Sequence, residues 1–197
     1  MKVVFTVVIC LISFSGVLSQ SVLDWRHDYK LQKSDFQVSG NGFRGDVYTV
    51  YAAVSIGFGV QMSNYEFMFS KNFNSKVSTT INRSASYIMA SDSLTENKLL
   101  KFAQVEFDLA ELYSRKFRKM MFENKKAFSE TDFYQKLYEK VQAEYAVRNS
   151  QLAQDTNMGM AELRLQESHD QILLEINELA DFCKTYKPKK RKAGKES

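Results

Sequence analysis

The chain has 197 residues, 44% of them hydrophobic, 25% charged and 13% aromatic, with 8 glycines and 1 proline. This is the composition of a folded globular protein; it argues against disorder, a collagen-like repeat and a bundle of membrane helices, and the length suits one domain better than two. The formal net charge of +4 is unevenly spread: setting aside Lys2 and the seven basic residues and one acid of 184–197 leaves a body with 19 basic and 22 acidic residues, a net charge of −3.

Met1 to Gln20 reads as a cleaved secretory signal over 1–19, with Lys2 as the positive end, an apolar run from Val3 to Ile12 and the small-residue exit Val17-Leu18-Ser19. The run is well short of the ~20 residues of a spanning helix, and no later segment comes closer, so no transmembrane segment is expected. A single domain over 20–183 and a basic flexible tail over 184–197 follow. Cys10 leaves with the leader, so the mature chain carries one thiol, Cys183, and its fold cannot depend on an internal disulfide.

Strand-like patterning comes next. Val47 to Gln61 is rich in Val, Tyr, Ile and Phe, and Tyr65, Phe67 and Phe69 alternate with other residues, so both stretches are predicted as strands, with further short strands over Lys76–Ile81 and Ser86–Met89 and a turn over Asn72–Ser75. From Ser93 the period becomes helical. Ser93 with Glu96 forms a predicted capping box for a helix running to about Asn124, with Leu99, Phe102, Glu106, Leu109 or Ala110, Tyr113 and Phe117 along one face. A second helix is predicted from Ser129 or Asp132, with Phe133, Leu137, Val141 and Tyr145 inward, and a third over about Met158–Cys183. Strands followed by helices indicate an α+β fold, an N-terminal antiparallel sheet and about three helices.

Most catalytic chemistries lack their residues. Only His27 and His169 are present as histidines, which leaves little for a zinc site or a nucleophilic triad. Gly40 to Gly45 matches GxGxxG but does not open a helix, and reads as a turn. An acidic, exported body makes nucleic acid a poor partner, whereas the basic tail offers contact with an anionic surface.

Leu99 to Lys119 reads LLKFAQVEFDLAELYSRKFRK. It resembles the central segment of the predicted secreted zinc proteases known as the domain of unknown function 922 family, whose pattern is approximately Leu-Leu-x-His-Glu-Gln-x-His-Phe-Asp-Ile-x-Glu followed by an aromatic-small-Arg run. Leu99, Leu100, Gln104, Phe107, Asp108, Glu111, Tyr113 and Arg115 keep the register; Phe102 and Glu106 replace the two His of HExxH, and Ala103 replaces its Glu. Gln154 to Gly159 resembles the family's later Glu-Thr-x-His-Gly, with Met158 at the His, and Trp25 and Leu31-x-x-Ser34-Asp35-Phe36 are similar to its opening signature.

The resemblance implies a zinc-protease-like helix core from which the chemistry has been lost, since neither Phe102 nor Ala103 can ligate a metal or move a proton. It implies a vestigial cleft of Phe102, Ala103, Glu106, Asp108 and Met158, no catalytic residues, no cofactor, and a structural task for Asp108. Glu111 and Arg115 are read as a helix-surface pair. The expected function is that of a secreted or periplasmic, catalytically inactive homologue binding an unidentified protein or peptide. Two alternatives are a hydrolase with a relocated metal site drawing on His169 or His27, and a surface-interaction protein acting through the tail.

Overall fold

The structure, a computed structural model, describes residues 21–38, 47–59, 63–70, 72–125 and 133–186. The expected signal sequence, the 40–45 turn, Ser129, Asp132 and most of the basic tail lie outside the described residues. Among the described residues no helix is long and apolar enough to cross a membrane.

The fold is α+β. Two three-stranded sheets built from the first 89 residues lean on one long helix, and two further helices cover its other side. The first sheet is antiparallel, with β5 (Val77–Asn82) between β1 (Val22–Asp24) and β4 (Val54–Phe58). In the second, β6 (Tyr87–Met89) lies between β3 (Thr49–Tyr51), antiparallel to it, and β2 (Gln37–Val38), which is parallel. The stretch predicted as one strand over Val47–Gln61 is therefore two strands in different sheets. They part at Ala52-Ala53, whose amide and carbonyl are held by Ser86 Oγ (2.9 Å) and Asn82 N (3.0 Å). β5 alternates as a half-buried strand should: Val77, Thr79 and Ile81 point inward.

Residues Asn64–Phe69, predicted as a strand, form the short helix α1. Its demand is to bury one ring: Phe67 packs against Phe73 and Phe133 while Met68 and Phe69 stay exposed. A stretch this short does not separate the two periods, and the contact decides.

Helix α2 spans Ser93–Asn124, as predicted, but its cap is Asp92, not Ser93. Asp92 Oδ1 accepts from Leu94 N (2.8 Å) and Thr95 N (2.9 Å), and those bonds hold its carboxyl below the usual range; Glu96, free of capping, pairs with Lys33 at 2.8 Å. The predicted single buried face is too narrow. From Phe102 to Arg115 every residue is buried save Glu106, which is half-buried, because the helix is enclosed by the sheets on one side and by α3 (Phe133–Asp155) and α4 (Glu162–Glu178) on the other. It divides the apolar core in two: Phe102, Leu109 and Phe117 join α3 and α4, and Leu99, Ala103 and Phe107 join Leu31, Phe36, Ile81 and Ile88. The predicted third helix begins later than expected, at Glu162, after a turn over 156–161.

Candidate functional site

A helix enclosed on all sides is ordinarily apolar on all sides; α2 instead carries a buried polar stripe, Gln104, Asp108, Glu111, Arg115 and Arg118, spaced four and three apart along one face. Each member is tolerated because it makes buried hydrogen bonds, Arg118 Nε alone among their fully buried side-chain atoms being left without a partner. At the N-terminal end, Asp108 Oδ1 accepts from Trp25 Nε1 at 2.7 Å, and Oδ2 from Gln104 Nε2 at 3.0 Å and His169 Nε2 at 2.8 Å. Gln104 Oε1 accepts from Leu31 N at 2.8 Å. Burial alone would raise the Asp108 pKa, but the bonds from His169, Gln104 and Trp25 outweigh it and hold the carboxyl below the ordinary range. An ionised Asp108 only accepts, so Nε2 of His169 carries a proton.

Further along, Glu111 receives Arg115 Nε and Arg118 Nη1, each at 2.9 Å, and Thr79 Oγ1 at 2.8 Å. The two guanidiniums go on to carbonyls at the end of α4 and beyond: Arg115 to Ile176 (2.8 Å), Arg118 to Phe182 (3.0 Å) and to Val77 on β5 (2.9 Å). The pair read from sequence as a helix-surface contact is thus a correction: Glu111 and Arg115 are buried, and they tie α2 to the sheet and to α4. The i, i+4 spacing is the same inside and outside a protein, so spacing did not tell them apart. The sign that did exist was the repeat of polar residues in step with an apolar helix.

The positions at which the family pattern would place metal chemistry are differently furnished. Phe102 is 2% and Ala103 0% exposed, and they belong to opposite halves of the core. Met158 packs with the half containing Ala103. Glu106 accepts from Asn149 Nδ2 at 3.0 Å, and burial pushes its carboxyl up to about 7. Asn149 Oδ1, buried beside it, has no partner. Tyr145 on the same helix has its phenol raised by burial first and by the Glu106 charge second. Asp108, two residues from Glu106, is about 160° away around the helix, so the five expected cleft residues do not share one cleft. This donor set does not fit a zinc ion: Phe102 and Ala103 lack a lone pair, Glu106 is engaged with an amide, and Met158 offers only a thioether packed in the core half of Ala103.

The turn after α3 nonetheless lies against α2. Asn157, Met158 and Gly159 all have positive φ (46°, 50° and 89°), and a Cβ on Gly159 would stand 2.8 Å from Lys98 O and 2.9 Å from Phe102 Cβ. Only glycine fits both the backbone and the space.

Of the two histidines, His27 is exposed, its ring 6.3 Å from that of Trp25. His169 lines a cavity of about 320 Å³ between the 30–31 segment, α2 and α4. Leu31, Val105 and Leu165 are its buried floor and Lys30, Lys101 and Glu162 its exposed rim; the described lining carries no hydroxyl or thiol side chain. Sequence reading named His169 only as a substitute ligand and did not foresee its bond to Asp108. At the chain's other end, Lys184 pairs with Asp24 (2.9 Å) and Asn74 Nδ2 holds Tyr186 O (2.7 Å), so the first residues of the expected tail are bonded to the body.

Comparison with known proteins returned no matching family model, no matching curated protein and no matching solved structure.

Proposed function

We propose that this chain is a secreted or envelope-associated, non-catalytic relative of the predicted secreted zinc proteases, and that it acts by binding a protein or peptide. One observation carries this reading: the segments that resemble the family are joined to one another in space through the residues they retain. Trp25 bonds Asp108, Gln104 bonds both Asp108 and Leu31, and the Gly159 turn presses on α2 at Phe102. Of the altered positions, Phe102 meets the Gly159 turn, Ala103 and Met158 pack in the same apolar cluster as Leu31 and Phe36, and Glu106 bonds Asn149 outside these segments.

The test is elemental analysis of protein purified without chelator or affinity histidines and dialysed against micromolar zinc. We expect substoichiometric zinc in the natural chain; stoichiometric zinc overturns the non-catalytic reading.

The relocated hydrolase keeps one observation in its favour, a histidine oriented by a buried carboxylate beside a cavity. Its zinc would show in the same analysis, and its activity as turnover lost on Glu162→Gln or Gln166→Ala, changes that leave the core intact.

A further inference from the structure

The cavity beside His169 lies on the side of α2 away from Phe102 and Glu106, and three features describe what it would hold. Its floor is aliphatic and closed, formed by Leu31, Val105 and Leu165, so it accepts an apolar side chain. Its rim is net cationic. Lys30 and Lys101 stand against one acid, Glu162, which Lys101 (3.2 Å) shares with Lys98 (3.1 Å) outside the cavity, and Lys30 has no ion partner among the described residues. Its wall presents His169, whose Nε2 is committed to Asp108 and whose Nδ1 has no partner among the described residues, leaving it open to a polar group of a ligand. Asp108 is itself fixed by Trp25 and Gln104, so the ring is held in place before a ligand arrives.

We infer that this cavity binds the free carboxyl end of a peptide whose last side chain is apolar. The side chain occupies the floor, the terminal carboxylate meets Lys30, and the last peptide group bonds His169 Nδ1. A fatty acid would supply the first two contacts and lacks the third. The inference rests on the proposed function in one respect, that the bound peptide leaves uncut.

The purified protein is titrated, with backbone and His169 ring resonances followed by NMR, against acetyl-Ala-Leu, its C-terminal amide, and octanoate. We expect saturable shifts centred on Leu100, Gln104 and His169 with the acid, and at least tenfold weaker binding of the amide and of octanoate. Lys30→Glu, at an exposed position, should weaken the acid about tenfold, and Leu100→Trp, filling the cavity from its half-buried edge, should abolish its binding. Equal affinity for acid and amide, octanoate binding as tightly as the dipeptide, no saturable shift, or indifference to Leu100→Trp each overturns the inference. Mass analysis of the recovered acetyl-Ala-Leu separates the two readings. Intact probe that had bound supports both, whereas cleaved probe overturns the non-catalytic function and leaves the binding site standing.

Discussion

Glu106 is the residue most exposed to a change of pH. Its carboxyl is raised from 4.5 to about 7, and Asn149 offers it one donor, already used, and one orphaned acceptor. A protonated carboxyl supplies the missing donor; an ionised one leaves Asn149 Oδ1 unpaired and a charge buried between α2 and α3. The sign follows from the folded value lying above the unfolded one. Between about pH 4.5 and 7 the folded state holds a proton that the unfolded chain has released, so this contribution is complete below about 4.5 and lost by about 7, roughly 3 kcal/mol in all. Glu106→Gln replaces the acid by a neutral group that can both accept from and donate to Asn149. Urea unfolding should find the variant more stable than the parent by ~2–3 kcal/mol at pH 8 and equal to it near pH 4.5; a constant difference across that range would show that Glu106 is not the titrating group. Glu175 works in the opposite direction. Arg148, bonded to it at 2.7 and 2.9 Å, holds its carboxyl down to about 2, so that contribution is present above 4.5 and fades as the pH falls toward 2.

At the scale of elements, the turn between α3 and α4 is where conformation is most constrained. Three successive residues in the left-handed region are costly, and two of them, Asn157 and Met158, bear side chains. The turn is held by Thr156, buried, whose carbonyl accepts from Gly159 N and Ala161 N and whose hydroxyl bonds Leu152 O. Gly159→Ala combines a disfavoured φ with overlap on Lys98 O and Phe102 Cβ, and should cost at least about 2 kcal/mol in the same unfolding measurement; a loss within error would mean that the turn has room to move off α2. Elements with one dominant local signal were legible in sequence. β5 alternated, and α2 ended where its period ended. The strand expected at Tyr65–Phe69 failed because a single ring contact, Phe67 on Phe73, outweighed a period too short to read. The start of the last helix was missed although Asn157 and Gly159 are residue types that favour the left-handed region; Met158 between them gives no such sign.

For the whole molecule, the question is what joins two small sheets to three helices when α2 separates the core into halves. Apolar contacts already cross the layers, since Ile56, Phe58 and Val77 of the first sheet pack with residues of α3 and α4; the buried polar stripe of α2 adds directed bonds between them. Arg118 is 0% exposed and bonds Glu111, Val77 on β5 and Phe182 beyond α4, so one side chain reaches three parts of the fold. The sequence showed the charges but not their burial, because Glu111, Arg115 and Arg118 have the spacing of an ordinary solvated face and only the enclosure of the helix by both layers turns that face inward. The same applies to Asp108 and His169, whose partnership depends on α4 returning across α2. Buried ion networks need not stabilise relative to an apolar replacement, but breaking one leaves a charge that water cannot reach. Arg118→Met should therefore cost ~3–5 kcal/mol, since Glu111 keeps only Arg115 and Thr79, and the carbonyls of Val77 and Phe182 each lose a donor. Glu111→Met should cost a similar amount by stranding two guanidiniums. In Glu111→Met with Arg118→Met the stranded partners are removed together, so the combined loss should fall short of the sum by ~1–3 kcal/mol in a double-mutant cycle. Strict additivity would mean that Arg118 is held by its two carbonyls alone and that the layers are joined without Glu111.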